Sequence, residues 1–177
     1  MIPVTSHPRP SSVPFCEPAG TGVRLAARSD RPAPRDAAVG AVDAAAQHLA
    51  RLHILVVDDE VDARELFAMV LRSTGATVTA VGSVDQALAV FSEERPDILV
   101  SDIGMPGQDG YSLIRRVRML SAEAGGRIPA VALTAFTGAD HRARALDAGF
   151  TMHVAKPIDP DRLIEVATQL ASLVDTH

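Results

Sequence analysis

The chain has 177 residues, 47% of them apolar, which is enough for one core of ordinary size and too few for two. Its single cysteine, Cys16, excludes an intrachain disulfide and a cysteine metal cluster, as suits a reducing cytoplasm. Residues 51–177 carry twelve basic against eighteen acidic side chains, a net of −6, with one tyrosine and no tryptophan. That balance argues against a phosphate-backbone binder, and no direct nucleic-acid contact is expected.

The first fifty residues differ from the rest. They hold seven of the twelve prolines, and five arginines against four acids. Prolines at positions 3, 8, 10, 14 and 18 leave no room for a helix, so roughly 1–38 reads as disordered or linker. An alanine-rich stretch offers a possible helix over 41–51, closing an amino-terminal extension of residues 1–50. No basic stretch precedes an apolar core there, and no apolar run approaches the ~20 residues of a membrane span. A cytoplasmic protein without a membrane partner is expected.

From residue 51 to 174 the pattern alternates. Residues 53–57 form a nearly continuous apolar run, as in a strand covered on both faces. Residues 61–73 predict a helix with Leu66, Met69 and Val70 on one stripe, and Gly75 as its stop. A short strand at 77–80 leads to a helix capped by Ser83 and running to Phe91, with Ala87, Leu88 and Phe91 inward. Strand three spans 97–100, and helix three 111–120, presenting Leu113, Ile114 and Val117. After the break at Gly125-Gly126 come strand four at 128–133, helix four at 139–148 with Gly149 as stop, strand five at 151–155 and helix five at 161–173. Residues 175–177 form a polar tail.

Five strand–helix units with short connections predict an α/β, doubly wound (βα)5 sandwich, with a parallel sheet in the order 2-1-3-4-5. The first strand is followed by Asp58-Asp59-Glu60 where a dinucleotide fold would place a glycine-rich turn, which argues against NAD or FAD.

The residues that end the strands carry the chemistry. Strand one ends in Asp58, Asp59 and Glu60, strand three in Asp102, strand four in Thr134, and strand five in Lys156-Pro157. Singly, each has an ordinary explanation: a helix cap, a loop hydroxyl, a solvated charge. Together at one sheet edge they point elsewhere. Three carboxylates in a small site need a cation, and oxygen-only donors select a hard ion, Mg²⁺ first, with Gly104 suited to add a backbone carbonyl. A lysine and a threonine hydroxyl opposite the metal complete a phosphoryl-binding site, with Asp102 as a nucleophile that carries an acyl phosphate.

On these residues the chain resembles the response-regulator receiver (CheY-like) domains of two-component signalling, over roughly 52–174. The likeness rests on Ile54-Leu55-Val56-Val57-Asp58-Asp59-Glu60, Ser101-Asp102-Ile103-Gly104-Met105-Pro106-Gly107, Gly110, Thr134-Ala135 and Lys156-Pro157. The resemblance implies a flavodoxin-like fold and a Mg²⁺-dependent phosphoacceptor at Asp102. It also implies direct metal binding by Asp59, Asp102 and the Gly104 carbonyl, with Asp58 acting through metal-bound water. Further implications are a switch hydroxyl at Thr134, a lysine at Lys156 before a cis bond, and phosphoryl supply from a sensor histidine kinase or a histidine phosphotransfer protein. The chain would catalyse only its own phosphorylation and dephosphorylation, and would signal through helix four, strand five and helix five.

Two positions depart from the commonest family pattern. His153 stands where an aromatic residue usually rotates with the switch hydroxyl, and its imidazole can add pH sensitivity. Gly104 leaves the approach to Asp102 free of a side chain. Phe136 and Phe150 are expected to pack around strands four and five, and Tyr111 to flank the surface. Partner choice is expected in helix-one surface residues such as Arg64, Glu65 and Ala68. The output face mixes His141, Arg142, Arg144, His153 and Asp161 without a large apolar patch, so a monomer or weak dimer is expected. A stand-alone regulator is the first expectation. A receiver module of a hybrid kinase, a non-phosphorylated pseudo-receiver, and an aspartyl-nucleophile phosphatase are the alternatives.

Overall fold

The computed structural model describes residues 48–135 and 138–174. Five parallel strands alternate with five helices: β1 His53–Val57, α1 Val61–Ser73, β2 Thr77–Val81, α2 Val84–Glu93, β3 Ile98–Asp102, α3 Gly110–Arg118, β4 Ala130–Thr134, α4 Ala139–Ala148, β5 Met152–Ala155 and α5 Pro160–Val174. A single 3-10 turn, Ala122–Ala124, precedes β4. The sheet order is β2-β1-β3-β4-β5, the doubly wound order expected from the sequence. Residues 1–47, with most of the proposed 41–51 helix, lie outside the described residues, as do Phe136 and the 175–177 tail.

Burial on both faces explains the continuous apolar runs of β1, β3 and β4. Alternate side chains feed two cores. Leu55, Val57, Leu99 and Ala132 pack with α2, α3 and α4; Ile54, Val56, Ile98, Val100, Val131 and Leu133 pack with α1 and α5. Leu49, ahead of β1, is fully buried in the second core. No described helix is long and apolar enough to cross a membrane.

Several local expectations are corrected. On α1 the buried residues are Phe67, Ala68 and Leu71, whereas Leu66 and Met69 are 46% and 67% exposed. The helix offers two overlapping apolar stripes, and the one carrying the phenylalanine docks. Ala68 is therefore core and not a surface determinant of partner choice. Leu88 is only half-buried, and Val84 and Val90 do more of the packing of α2. Tyr111 is buried, not a surface flank, and the Arg144 guanidinium of α4 lies 5.0 Å from its ring centroid. Phe150 packs in the core as expected. Strand β3 runs to Asp102 because that residue still pairs with Leu133 of β4.

Helix ends follow the local chemistry. Asp109 caps α3, its side chain accepting from the Ser112 N–H at 2.8 Å, a bond worth about 1 kcal/mol. Gly149 closes α4 at φ 118°, a left-handed geometry that favours glycine.

Candidate functional site

Register brings the sequence-predicted residues together. Val57 of β1 pairs with Ser101 of β3, so Asp58 and Asp102, each the next residue, leave the sheet side by side. Asp102 pairs with Leu133, and Thr134 with Ala155, which puts Thr134 and Lys156 on the same edge. Chain connections leave β1 in opposite directions, towards β2 and then back to β3, so this edge is the crevice where doubly wound sheets bind ligands.

Asp58 is 1% exposed, Asp102 8% and Thr134 2%, while Asp59 is exposed. One carboxylate oxygen from each of Asp58, Asp59 and Asp102 lies within 4.8 Å of the others, an all-oxygen donor set that fits a hard divalent cation such as Mg²⁺. The Lys156 ammonium stands 2.7 Å from Asp58 Oδ2 and 3.3 Å from Asp102 Oδ1, bridging the two buried carboxylates. Burial alone would push the lysine pKa down. The hydrogen bond and charge of Asp58, then the charge of Asp102, overcome that and leave it raised.

Backbone bonds hold the two acids. Asp102 Oδ1 accepts from the Ile103 N–H at 2.8 Å, and Ile103 O accepts from the Gly110 N–H at 3.1 Å. Asp58 Oδ1 accepts from the Glu60 N–H at 3.0 Å. The Lys156 N–H donates to Thr134 O at 2.7 Å, and the Lys156–Pro157 bond is cis, as expected. A side chain at Gly104 would meet Asp102 Oδ2 at 3.7 Å, so Gly104 does leave that oxygen uncovered.

His153 sits on edge strand β5, and its buried Nε2 has no hydrogen-bond partner among the described residues. Burial lowers the imidazole pKa, and the charges of Arg142 and His141 on α4 add to the effect. A depressed folded pKa means that the stabilising contribution is present above 6.5 and is lost as pH falls from there through the folded value. His153→Phe is therefore expected to raise stability by about 1 kcal/mol by removing the orphaned nitrogen. It should also lessen the acid-side loss. Urea unfolding at neutral pH and near pH ~5 checks both.

Two arrangements were not anticipated. Arg64, expected at a partner surface, turns its guanidinium back to the Asp58 carbonyl at 2.7 Å. Gln108 donates to both Asp85 carboxylate oxygens at 3.2 and 3.3 Å and accepts from Arg116 at 2.9 Å, tying the loop after Asp102 to α2 and α3. Neither contact has a sequence signal: the first depends on the geometry of the β1–α1 turn, and the second on α2 lying beside the loop that leads into α3.

The fold and the strand-end constellation define a signalling domain of the two-component class. A family model of the response regulator receiver domain matches residues 54–168, and the chain belongs to that family. An uncharacterised 14.6 kDa protein of Leptolyngbya boryana is 44% identical over 123 residues, covering 70% of this chain and 92% of that one. The hybrid signal transduction histidine kinase D of Dictyostelium discoideum is 30% identical over 135 residues, covering 73% of this chain but 8% of the kinase. Among solved structures, a putative response regulator of Chloroflexus aurantiacus is 30% identical with a TM-score of 0.64, covering 68% of this chain and 98% of that one.

Proposed function

We propose that the chain is a phosphoacceptor response regulator that receives a phosphoryl group on Asp102 from a phosphohistidine of a sensor histidine kinase or histidine phosphotransfer protein. The observation that carries this reading is the Lys156 ammonium held between buried Asp58 and Asp102 at the sheet crevice. A nucleophilic carboxylate paired with a fixed cation is the minimum needed to accept a phosphoryl group.

Asp102 attacks the phosphorus of the donor. An O–P bond forms as the P–N bond breaks, and the electron pair returns to the donor imidazole. With Oδ1 occupied by the Ile103 N–H and Lys156, the oxygen under Gly104 is the one open to attack. Lys156 and the Thr134 hydroxyl then take oxygens of the transferred group. Mg²⁺, held by Asp58, Asp59, Asp102 and the Gly104 carbonyl, would offset charge on the phosphoryl oxygens. Water later attacks the phosphorus, the Asp102 O–P bond breaks, and inorganic phosphate leaves with the carboxylate restored. Movement of Thr134, with His153 following, passes the change to the α4–β5–α5 face and a protein target.

A single-domain regulator fits best, since the match covers 92% of the Leptolyngbya boryana relative, and we read it as acting in the cytoplasm as a monomer or weak dimer. The likeness to a hybrid kinase supports a receiver module as the second reading. The central test is incubation with Mg²⁺ and acetyl phosphate followed by peptide mapping. One phosphoryl adduct on the peptide holding Asp102 is expected. An unmodified protein would favour a pseudo-receiver that binds partners without phosphorylation, and rapid turnover of a small phosphoester would favour a hydrolase.

A further inference from the structure

The turn after β1 must present its carboxylates rigidly, and every polar atom of Asp58 is engaged. Its N–H donates to Val81 O at 3.1 Å, Oδ1 accepts from Glu60 N–H at 3.0 Å, and Oδ2 accepts from Lys156 at 2.7 Å. The remaining atom, its carbonyl oxygen, accepts from Arg64 Nη1 at 2.7 Å, and the same nitrogen lies 3.5 Å from the Asp59 carbonyl. Arg64 is half-buried in the first turn of α1, so the bond spans the β1–α1 turn that carries both acids. Gly82, after β2, supplies the room: a methyl there would stand 3.0 Å from Arg64 Nη1 and 3.8 Å from Asp58 O.

We infer that Arg64 is a positioning residue for the Asp58–Asp59 acid pair, holding the turn in the conformation that binds the divalent cation, with Gly82 keeping its place clear. This rests on the metal site proposed above and adds to it a residue that touches neither metal nor phosphoryl group. The sign of its effect separates positioning from plain electrostatics. A guanidinium beside an acid cluster repels an incoming cation, so by charge alone its removal strengthens Mg²⁺ binding. By positioning, its removal frees the buried Asp58 carbonyl, loosens the turn and weakens binding.

The test is calorimetric titration with Mg²⁺ alone, beside amide hydrogen exchange in Mg²⁺-free buffer. Arg64→Met is expected to weaken Mg²⁺ binding about tenfold, the range seen when groups that orient metal ligands are lost. Arg64→Lys, which keeps a donor, should recover most of it. Gly82→Ala, which crowds the guanidinium without removing a side chain, should move affinity in the same direction by about threefold. In Mg²⁺-free protein the Glu60 amide, bonded to Asp58 Oδ1, should exchange faster in Arg64→Met than amides in the middle of α1. Unchanged or tighter Mg²⁺ binding in Arg64→Met overturns the inference, as does faster exchange spread evenly over α1. A wild-type chain that binds no Mg²⁺ would defeat the metal reading and leave the exchange measurement to decide Arg64. Phosphorylation enters neither readout.

Discussion

Replacing Asp102 with asparagine is expected to abolish phosphoryl uptake and, in Mg²⁺-free buffer, to raise the unfolding free energy by about 1 kcal/mol. The first effect follows because a carboxamide is no nucleophile at phosphorus. The second comes from the charges around it. Asp102 is repelled by Asp58 and Asp59, whose ligand oxygens lie within 4.8 Å, and attracted by Lys156 at 3.3 Å. Two repulsions at that range outweigh the one attraction, and the group is 8% exposed, so its hydration is largely lost as well. The amide oxygen can still accept from the Ile103 N–H, so the loop after β3 keeps its anchor. Saturating Mg²⁺ should reverse the order of stability, since wild type gains more from the ion. Urea unfolding with and without Mg²⁺, beside mass analysis after acetyl phosphate, reads both effects. An asparagine variant less stable than wild type without Mg²⁺ would show that the Lys156 contact dominates the cluster.

Lys156→Met should have the opposite sign. It strips buried Asp58 and Asp102 of their shared cation, while the remaining 19% exposure of the lysine side chain limits the loss. A fall of about 2 kcal/mol in Mg²⁺-free buffer is expected, partly restored by Mg²⁺, and the same unfolding curves measure it.

Which parts were legible in the sequence follows from the range of the forces involved. Strands such as residues 53–57 and helices such as 61–73 and 139–148 matched residue for residue, because burial on both sheet faces and local capping leave their mark in adjacent residues. The candidate site's edge was legible because all strands are parallel, so the residue after each strand goes to the same end. Helix rotation was not. Whether α1 buries Leu66 and Met69 or Phe67 and Leu71 depends on the sheet face and the neighbouring helix it packs against, and the second stripe pairs with Ile54, Val78 and α5. Tyr111 was misplaced for the same reason, since its burial is set by α4. Arg64 is the clearest case. An arginine in a first helical turn usually reads as a solvated charge, and only the turn geometry of β1 shows that its head group returns to the Asp58 carbonyl.

Gly110→Ala is expected to be the most damaging small substitution near the site, costing about 3 kcal/mol of stability and slowing phosphoryl uptake about a hundredfold. Gly110 opens α3 and is not among the glycines with positive φ, so alanine carries no conformational penalty there and by helix propensity should be preferred. The obstacle is space. An added Cβ would fall 2.3 Å from the carbonyl oxygen of Asp102, 2.9 Å from Ile103 Cα and 3.1 Å from Asp102 C. These are backbone atoms of Asp102, the proposed phosphoacceptor, and of the residue after it, and they cannot rotate away. Either α3 withdraws, breaking the Gly110 N–H to Ile103 O bond, or the end of β3 shifts and takes the Asp102 carboxylate out of line with Lys156. Gly104→Ala is the matched control. Its methyl would meet only Asp102 Oδ2 at 3.7 Å, an ordinary contact, so stability should stay within about 0.5 kcal/mol of wild type. Unfolding free energies and single-turnover phosphorylation rates for the two variants settle the comparison. Equal behaviour of both would mean that the close approach of α3 to Asp102 does not set the acceptor's position.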